Sequence, residues 1–91
     1  MEKKWYIYIL RCENNSLYTG ITTDVERRFK QHQSGKGAKY TKVNKPIKIS
    51  AIFERENRSE ATREEIRIKA LTKAQKELLC KNYLDDILRN K

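Results

Sequence analysis

The sequence is short of the residues that build metal centres and disulfide frameworks. It holds one histidine, His32, and two cysteines, Cys12 and Cys80, and neither cysteine has a CxxC partner or a neighbouring histidine. That spacing argues against a zinc site, and the cysteines read as small buried apolar residues in a reducing compartment. A single histidine without a clustered His/Asp set excludes most metallohydrolase arrangements. Ser34-Gly35-Lys36-Gly37 lacks the GxxxxGK[ST] spacing of a phosphate loop, so nucleotide hydrolysis is not expected. No serine or cysteine stands beside a plausible base, which argues against acyl transfer. Long apolar runs are missing as well. Nothing approaches the ~20 residues that a membrane helix needs, and no signal-peptide pattern follows Met1. A soluble, cytoplasmic chain with no membrane partner is the expectation.

What is present is charge, and it is unevenly placed. The chain has 91 residues, enough for one domain with a modest core, and a formal net charge of +9. Residues 27–53 contain Arg27, Arg28, Lys30, Lys36, Lys39, Lys42, Lys45 and Lys48 and no acidic residue. The segments on either side mix both signs, as a solubilising surface does. A one-sign stretch points to a polyanion, because neutralised phosphates release counterions and drive binding.

Trp5 to Cys12 is β-branched and aromatic with no breaker, which predicts a strand, central because it is apolar on both sides. Glu13-Asn14-Asn15-Ser16 is turn chemistry, and Leu17 to Ile21 predicts a second strand. Tyr8 and Tyr18 share a sheet face only if paired residue numbers sum to an even value. An odd-length loop such as Glu13 to Asn15 meets that condition; a two-residue Asn14-Asn15 turn does not. Thr23-Asp24-Val25-Glu26 reads as a capping box, with a helix running to about Gln33 and stopped by Ser34-Gly35. Val25, Arg28, Phe29 and His32 fall on one helical face, with Arg28 and His32 expected at its margin. Gly35 to Lys45 reads as a loop with a short helical turn. Pro46 opens a third strand alternating Ile47, Ile49, Ala51 and Phe53. Asn57-Arg58-Ser59 caps a helix from about Glu60 to Leu71. Thr72 to Gln75 is a further capping box, opening a helix from Lys73 to about Arg89 with a core stripe of Leu78, Leu79, Tyr83, Ile87 and Leu88. The class is α+β: a small three-stranded antiparallel sheet flanked by helices, in β-β-α-β-α-α order, with no repeat or linker.

The chemistry left by elimination is phenol, guanidinium, imidazole and carboxylate. Cleaving a phosphodiester needs a group to deprotonate water, a cation on the phosphate and stabilisation of the leaving oxygen. Tyr8, Tyr18, Arg28 and His32 are candidates, together with Glu65 or its neighbour Glu64. Each also has a plain reading. Tyr8 can be a core aromatic, Arg28 a stem covering a helix edge, and Glu65 an i,i+4 partner for Lys69.

Five words of this sequence, in order, resemble the GIY-YIG nuclease domain, and more closely its small stand-alone bacterial members, the UPF0213 family. They are Trp5-Tyr6-Ile7-Tyr8, Leu17-Tyr18-Thr19-Gly20-Ile21-Thr22, Asp24 to Phe29 with His32, Gly35 to Thr41, and Glu65 ahead of Ile68-Lys69-Ala70-Leu71. Tyr6 stands where the name-giving pattern has glycine, and Thr19 where it has isoleucine. The resemblance implies DNA cleavage dependent on a divalent metal, Mg²⁺ or Mn²⁺, in repair or processing of DNA. By position, Tyr8 is the implied general base or water-orienting phenol, Tyr18 shares its site, and Arg28 binds the scissile phosphate. His32 assists Tyr8 or the phosphate, and Glu65 holds the metal ion. Arg27 is the lesser candidate beside Arg28. Lys36, Lys39 and Lys42 are expected on phosphates, and Tyr40 on a base. DNA is the expected partner, RNA the second candidate. No extra DNA-binding domain accompanies the motifs, so a monomer with low sequence specificity, helped by a separate protein, fits. The alternative is a binding module that keeps the fold without cleavage. A protein-binding scaffold built on the C-terminal helices is a third, weaker reading.

Overall fold

The computed structural model describes residues 3–90. Its elements are β1 (Trp5–Cys12), β2 (Leu17–Thr22), α1 (Val25–Gln33), α2 (Lys39–Val43), β3 (Pro46–Arg55), α3 (Arg58–Lys69) and α4 (Lys73–Arg89). The sheet is antiparallel in the order β2-β1-β3, with β1 in the centre as its two-sided apolar sequence predicts. The helical turn within the Gly35–Lys45 segment is α2.

The β1–β2 hairpin settles the tyrosine question. Cys12 N–H donates to Ser16 O at 2.9 Å and Asn15 N–H to Cys12 O at 2.9 Å, leaving Glu13, Asn14 and Asn15 as a three-residue loop. Asn15 takes the left-handed conformation (φ 66°) that asparagine tolerates better than most residues. Tyr8 then pairs with Gly20 and Leu10 with Tyr18, so both tyrosines lie on one face of the sheet.

The opposite face builds the core. Ile7 and Ile9 meet Ala51, Ala61, Ile68 and Cys80, with Trp5, Leu17, Ile21, Phe53, Leu79 and Tyr83 packed around them. These partners place α3 and α4 over that face. Arg11 ties β1 to α4 through a two-pronged pair with Glu77 at 2.5 Å. Both cysteines are buried and free. No helix among the described residues is long and apolar enough to cross a membrane.

Four local expectations are corrected. The α1 cap is Asp24, not Thr23: its carboxylate accepts Arg27 N–H at 3.1 Å, while Thr22 Oγ1 accepts Asp24 N–H at 3.2 Å. A carboxylate also suits the positive end of the helix dipole. Helix α3 starts at Arg58, two residues earlier than expected, because the Asn57 side chain caps it through Glu60 N–H. The β3 alternation breaks, because the register with β1 shifts between Ile9 and Leu10 and again between Arg11 and Cys12. Those bulges pair Ile49 with Leu10, on the tyrosine side, and leave Ile47 55% exposed. The α4 stripe is only half used: Leu79, Cys80 and Tyr83 reach the core, whereas Leu78, Ile87 and Leu88 are exposed. Leu78 is turned about 100° from Leu79, and Ile87 and Leu88 follow the last core contact.

Candidate active site

Tyr8 is held by its cross-strand partner. A Cβ at position 20 would collide with the Tyr8 ring and hydroxyl, so the phenol lies across β2 only because Gly20 has no side chain. The signal was in the sequence, since an even register of this loop pairs position 8 with position 20. From there Tyr8 Oη reaches His32 Nε2 at 2.8 Å. His32 is fully buried, not marginal as the helical pattern suggests. The difference comes from α2, which covers the end of α1 and supplies Thr41 Oγ1 at 2.8 Å from His32 Nδ1. Gly37 allows that cover, because a Cβ there would run into the imidazole. Thr41 and Gly37 lie outside the set of residues picked from the sequence. Their roles depend on a tertiary contact between two helices, which carries no periodicity.

Tyr18 joins the same cluster: its ring centroid is 5.2 Å from His32 and 6.4 Å from Tyr8. Tyr40 stacks on the far side of Tyr18, nearly parallel at 6.0 Å, and its hydroxyl donates to Ser16 Oγ at 2.5 Å. Arg28 donates to Gln31 Oε1 at 3.0 Å, which steadies the guanidinium. It stands close enough to perturb both buried partners.

The electrostatics follow from burial. The Tyr8 phenol is pushed up to about 12, chiefly because its charged form would be desolvated; Arg28 opposes the rise and the charges of Tyr18 and Glu65 add to it. His32 is lowered to about 4, again by burial first and then by repulsion from Arg28. Both groups are neutral at pH 7, so the link between them is a hydrogen bond between uncharged partners whose direction is set by the imidazole tautomer.

Glu65 and Glu64 point to different surroundings. Glu64 pairs with Arg67 and, at 3.5 Å, with Arg55, and Arg67 foremost holds its carboxyl below the usual range. Among the described residues Glu65 pairs with Lys69 alone, at 3.2 Å, and its charge acts on Tyr8. Lys69 lines a groove of about 280 Å³ with Leu17, Tyr18, Thr19, Tyr40 and Lys76. The polar side of α3 therefore reaches the tyrosine face around the free edge of β2. Among the described residues no three His, Cys, Asp or Glu side chains gather as a metal cage. A hard cation that keeps most of its water needs only one or two carboxylates plus substrate phosphate oxygens, and Glu65 fits that donor set.

The outlying candidates do not converge on the tyrosines. Arg27 and Lys36 border a separate cleft beside Asp24, Glu26 and Lys30. Lys39 and Lys42 are exposed on α2. Arg28 acts directly on Tyr8, whereas Arg27 borders a cleft with Arg28, Asp24 and Gln31 and another with Tyr6 and Ile52.

The chain is similar to known proteins over most of its length. It is 51% identical over 79 residues to a UPF0213 protein of Cupriavidus necator, covering 87% of this chain and 86% of the relative. It is 53% identical over 75 residues to the UPF0213 protein YhbQ of Escherichia coli O127:H6, covering 82% and 75%. Two solution NMR structures share the fold. A protein from E. faecalis matches at TM-score 0.61 and 42% identity, covering 90% of this chain and 88% of that one. The UPF0213 protein of Bacillus halodurans matches at TM-score 0.54 and 47% identity, covering 84% and 81%. The GIY-YIG catalytic domain matches residues 4–78. The chain therefore belongs to the GIY-YIG family of nuclease domains.

Proposed function

We propose that the protein is a divalent-metal-dependent DNA endonuclease of low intrinsic sequence specificity, acting in repair or processing of DNA. The observation that carries the reading is the buried Tyr8–His32 hydrogen bond with Arg28 beside it. A core tyrosine needs only one partner for its hydroxyl. Here the partner is the chain's sole histidine, and an arginine sits next to the pair.

In this reading the Arg28 guanidinium binds the scissile phosphate, and Gln31 keeps it in place. Tyr8, neutral at pH 7, accepts a hydrogen bond from the attacking water through an Oη lone pair while its own proton is committed to His32. As the water oxygen bonds to phosphorus and the P–O ester bond breaks, the water proton passes to Oη and the phenol proton to Nε2. The departing alkoxide takes a proton from solvent, and the extra proton on His32 returns to solvent back through Tyr8, so neither a free phenolate nor an imidazolium remains at the end of the cycle. Tyr18 walls the cluster and limits how the phosphate enters. A divalent ion on Glu65 would supply charge stabilisation for the phosphoryl and leaving oxygens. Lys39, Lys42 and the stacked face of Tyr40 offer contacts to flanking phosphates and bases, with Lys36 and Arg27 further out.

A supercoiled-plasmid assay with Mg²⁺ or Mn²⁺ tests this. Wild-type protein is expected to nick, and Tyr8→Phe, Arg28→Ala and Glu65→Ala to nick ~10²-fold more slowly while still binding DNA. Equal rates for all four would end the enzyme reading. The rival, a nucleic-acid-binding module without cleavage, draws support from Lys69, whose ammonium already occupies the Glu65 carboxylate. It predicts salt-dependent binding to DNA or RNA and no nicking.

A further inference from the structure

A buried neutral imidazole has one proton to share between two nitrogens, and its surroundings decide which nitrogen holds it. Around His32 the surroundings are unequal. Thr41, on α2 and 1% exposed, has its hydroxyl oxygen 2.8 Å from Nδ1 and 2.8 Å from the Ala38 carbonyl. That carbonyl can only accept, and although Thr41 N–H at 3.1 Å and Lys42 N–H at 3.2 Å also reach it, the Thr41 hydroxyl is its nearest donor, so the Thr41 proton is placed on Ala38. Toward His32 the oxygen is then left as an acceptor, which requires a proton on Nδ1. The bare nitrogen is Nε2, and the Tyr8 hydroxyl donates to it across 2.8 Å. A competing arrangement is built into the same turn. The Ala38 N–H lies 3.4 Å from Nδ1 and would serve the other tautomer, with Nε2–H aimed at Tyr8 Oη. In that state the phenol oxygen accepts a hydrogen bond from Nε2–H, and Nε2 can no longer take the phenol proton.

We infer that Thr41 is a positioning residue that selects the Nδ1–H tautomer of His32 and thereby makes Nε2 the acceptor for the Tyr8 proton. Thr41 touches neither phosphate nor water and acts only through His32. The inference deepens the nuclease reading and rests on it for its consequence, though not for its geometry. Gly37 belongs to the same device, because the backbone carrying Ala38 approaches the ring only where no Cβ intervenes.

His32 is the only histidine in the chain, so its ring nitrogens can be read without ambiguity in the full-length ¹⁵N-labelled protein. Long-range ¹H–¹⁵N correlation at pH 7 is expected to find the proton on Nδ1 in wild type. Thr41→Val keeps the shape and removes the acceptor, and should move the proton to Nε2 as Ala38 N–H becomes the remaining partner of Nδ1. Nicking should fall ~10²-fold, the range for losing general base assistance. Thr41→Ser restores the oxygen and should restore both the tautomer and the rate. A wild-type proton on Nε2 would overturn the inference. So would a Thr41→Ser protein that does not recover the wild-type tautomer, and a folded Thr41→Val protein that keeps Nδ1–H. If wild type proves inactive, the nuclease reading fails on its own, and the ring nitrogens still decide this one.

Discussion

Two buried threonines, one on each side of the sheet, show how differently its two faces are made. Thr19 is 3% exposed and opposes Ile9 on the side covered by α3 and α4, and its hydroxyl has no hydrogen-bond partner among the described residues. Thr41 is 1% exposed on the tyrosine side and bonds both His32 and Ala38. The first face is held by apolar area and tolerates a polar atom as a defect. The second encloses a connected chain of hydrogen bonds that runs from Tyr8 through His32 and Thr41 to Ala38, a buried polar network rather than apolar area. A division follows: α3 and α4 close the apolar core, and α1 and α2 enclose the hydrogen-bonded cluster around Tyr8 and His32.

The strongest contrast comes from cutting into the core face. Ile9 is fully buried between Ala51 and the helices, so Ile9→Ala should cost about 4 kcal/mol through lost burial and a cavity. In a chain of this size that lowers the melting temperature by roughly 20 °C, measurable by circular dichroism. A loss below about 1 kcal/mol would mean that the core does not rest on this face.

The tyrosine face should reveal itself through pH instead. The unfolded chain takes up a proton on His32 near the ordinary 6.5, the folded chain only near about 4. The folded state therefore binds fewer protons between those values, and stability falls as the pH drops through that window. Urea unfolding at pH 7 and pH 4.5 should differ by on the order of 2 kcal/mol from this group. His32→Gln, which cannot titrate, isolates the effect. Glu64 and Glu77, whose carboxyls are held low by arginines, lose their contribution only further down. A pH slope unchanged by His32→Gln would place the imidazole in water.

Legibility in the sequence divides along the same line. Alternation, turn chemistry and caps made the sheet, the order of elements and the Thr72–Gln75 box readable, because each depends on neighbours within a few residues. The parity argument stated the condition for a shared face of Tyr8 and Tyr18 but left the loop length open, and the three-residue loop is what meets it. Apart from the α1 cap and the start of α3, which differ by one or two residues, the misses are long-range. Burial of His32 depends on α2, a helix too short to leave a periodic signal. The Ile47 exposure depends on bulges set by pairing with β1. Glu65 and Glu64 are told apart only by which arginines approach them, which no spacing encodes.

The smallest expected effect is the most discriminating, because it has the opposite sign. Thr19 sits where the GIY-YIG pattern has isoleucine, and its Oγ1 is buried without a partner among the described residues. Thr19→Val replaces that hydroxyl by a methyl of nearly the same volume, and should stabilise the fold by about 1 kcal/mol, the desolvation cost of an unpaired polar atom. The same change at position 41 removes two hydrogen bonds and should destabilise by about 1–2 kcal/mol. Chemical denaturation of the two variants beside wild type settles it. If Thr19→Val is instead destabilising, the hydroxyl has found a partner, and the helix-covered face is not the purely apolar core argued above. The nicking rate adds a second axis. Thr19 faces away from Tyr8, so Thr19→Val should leave cleavage unchanged while Thr41→Val suppresses it.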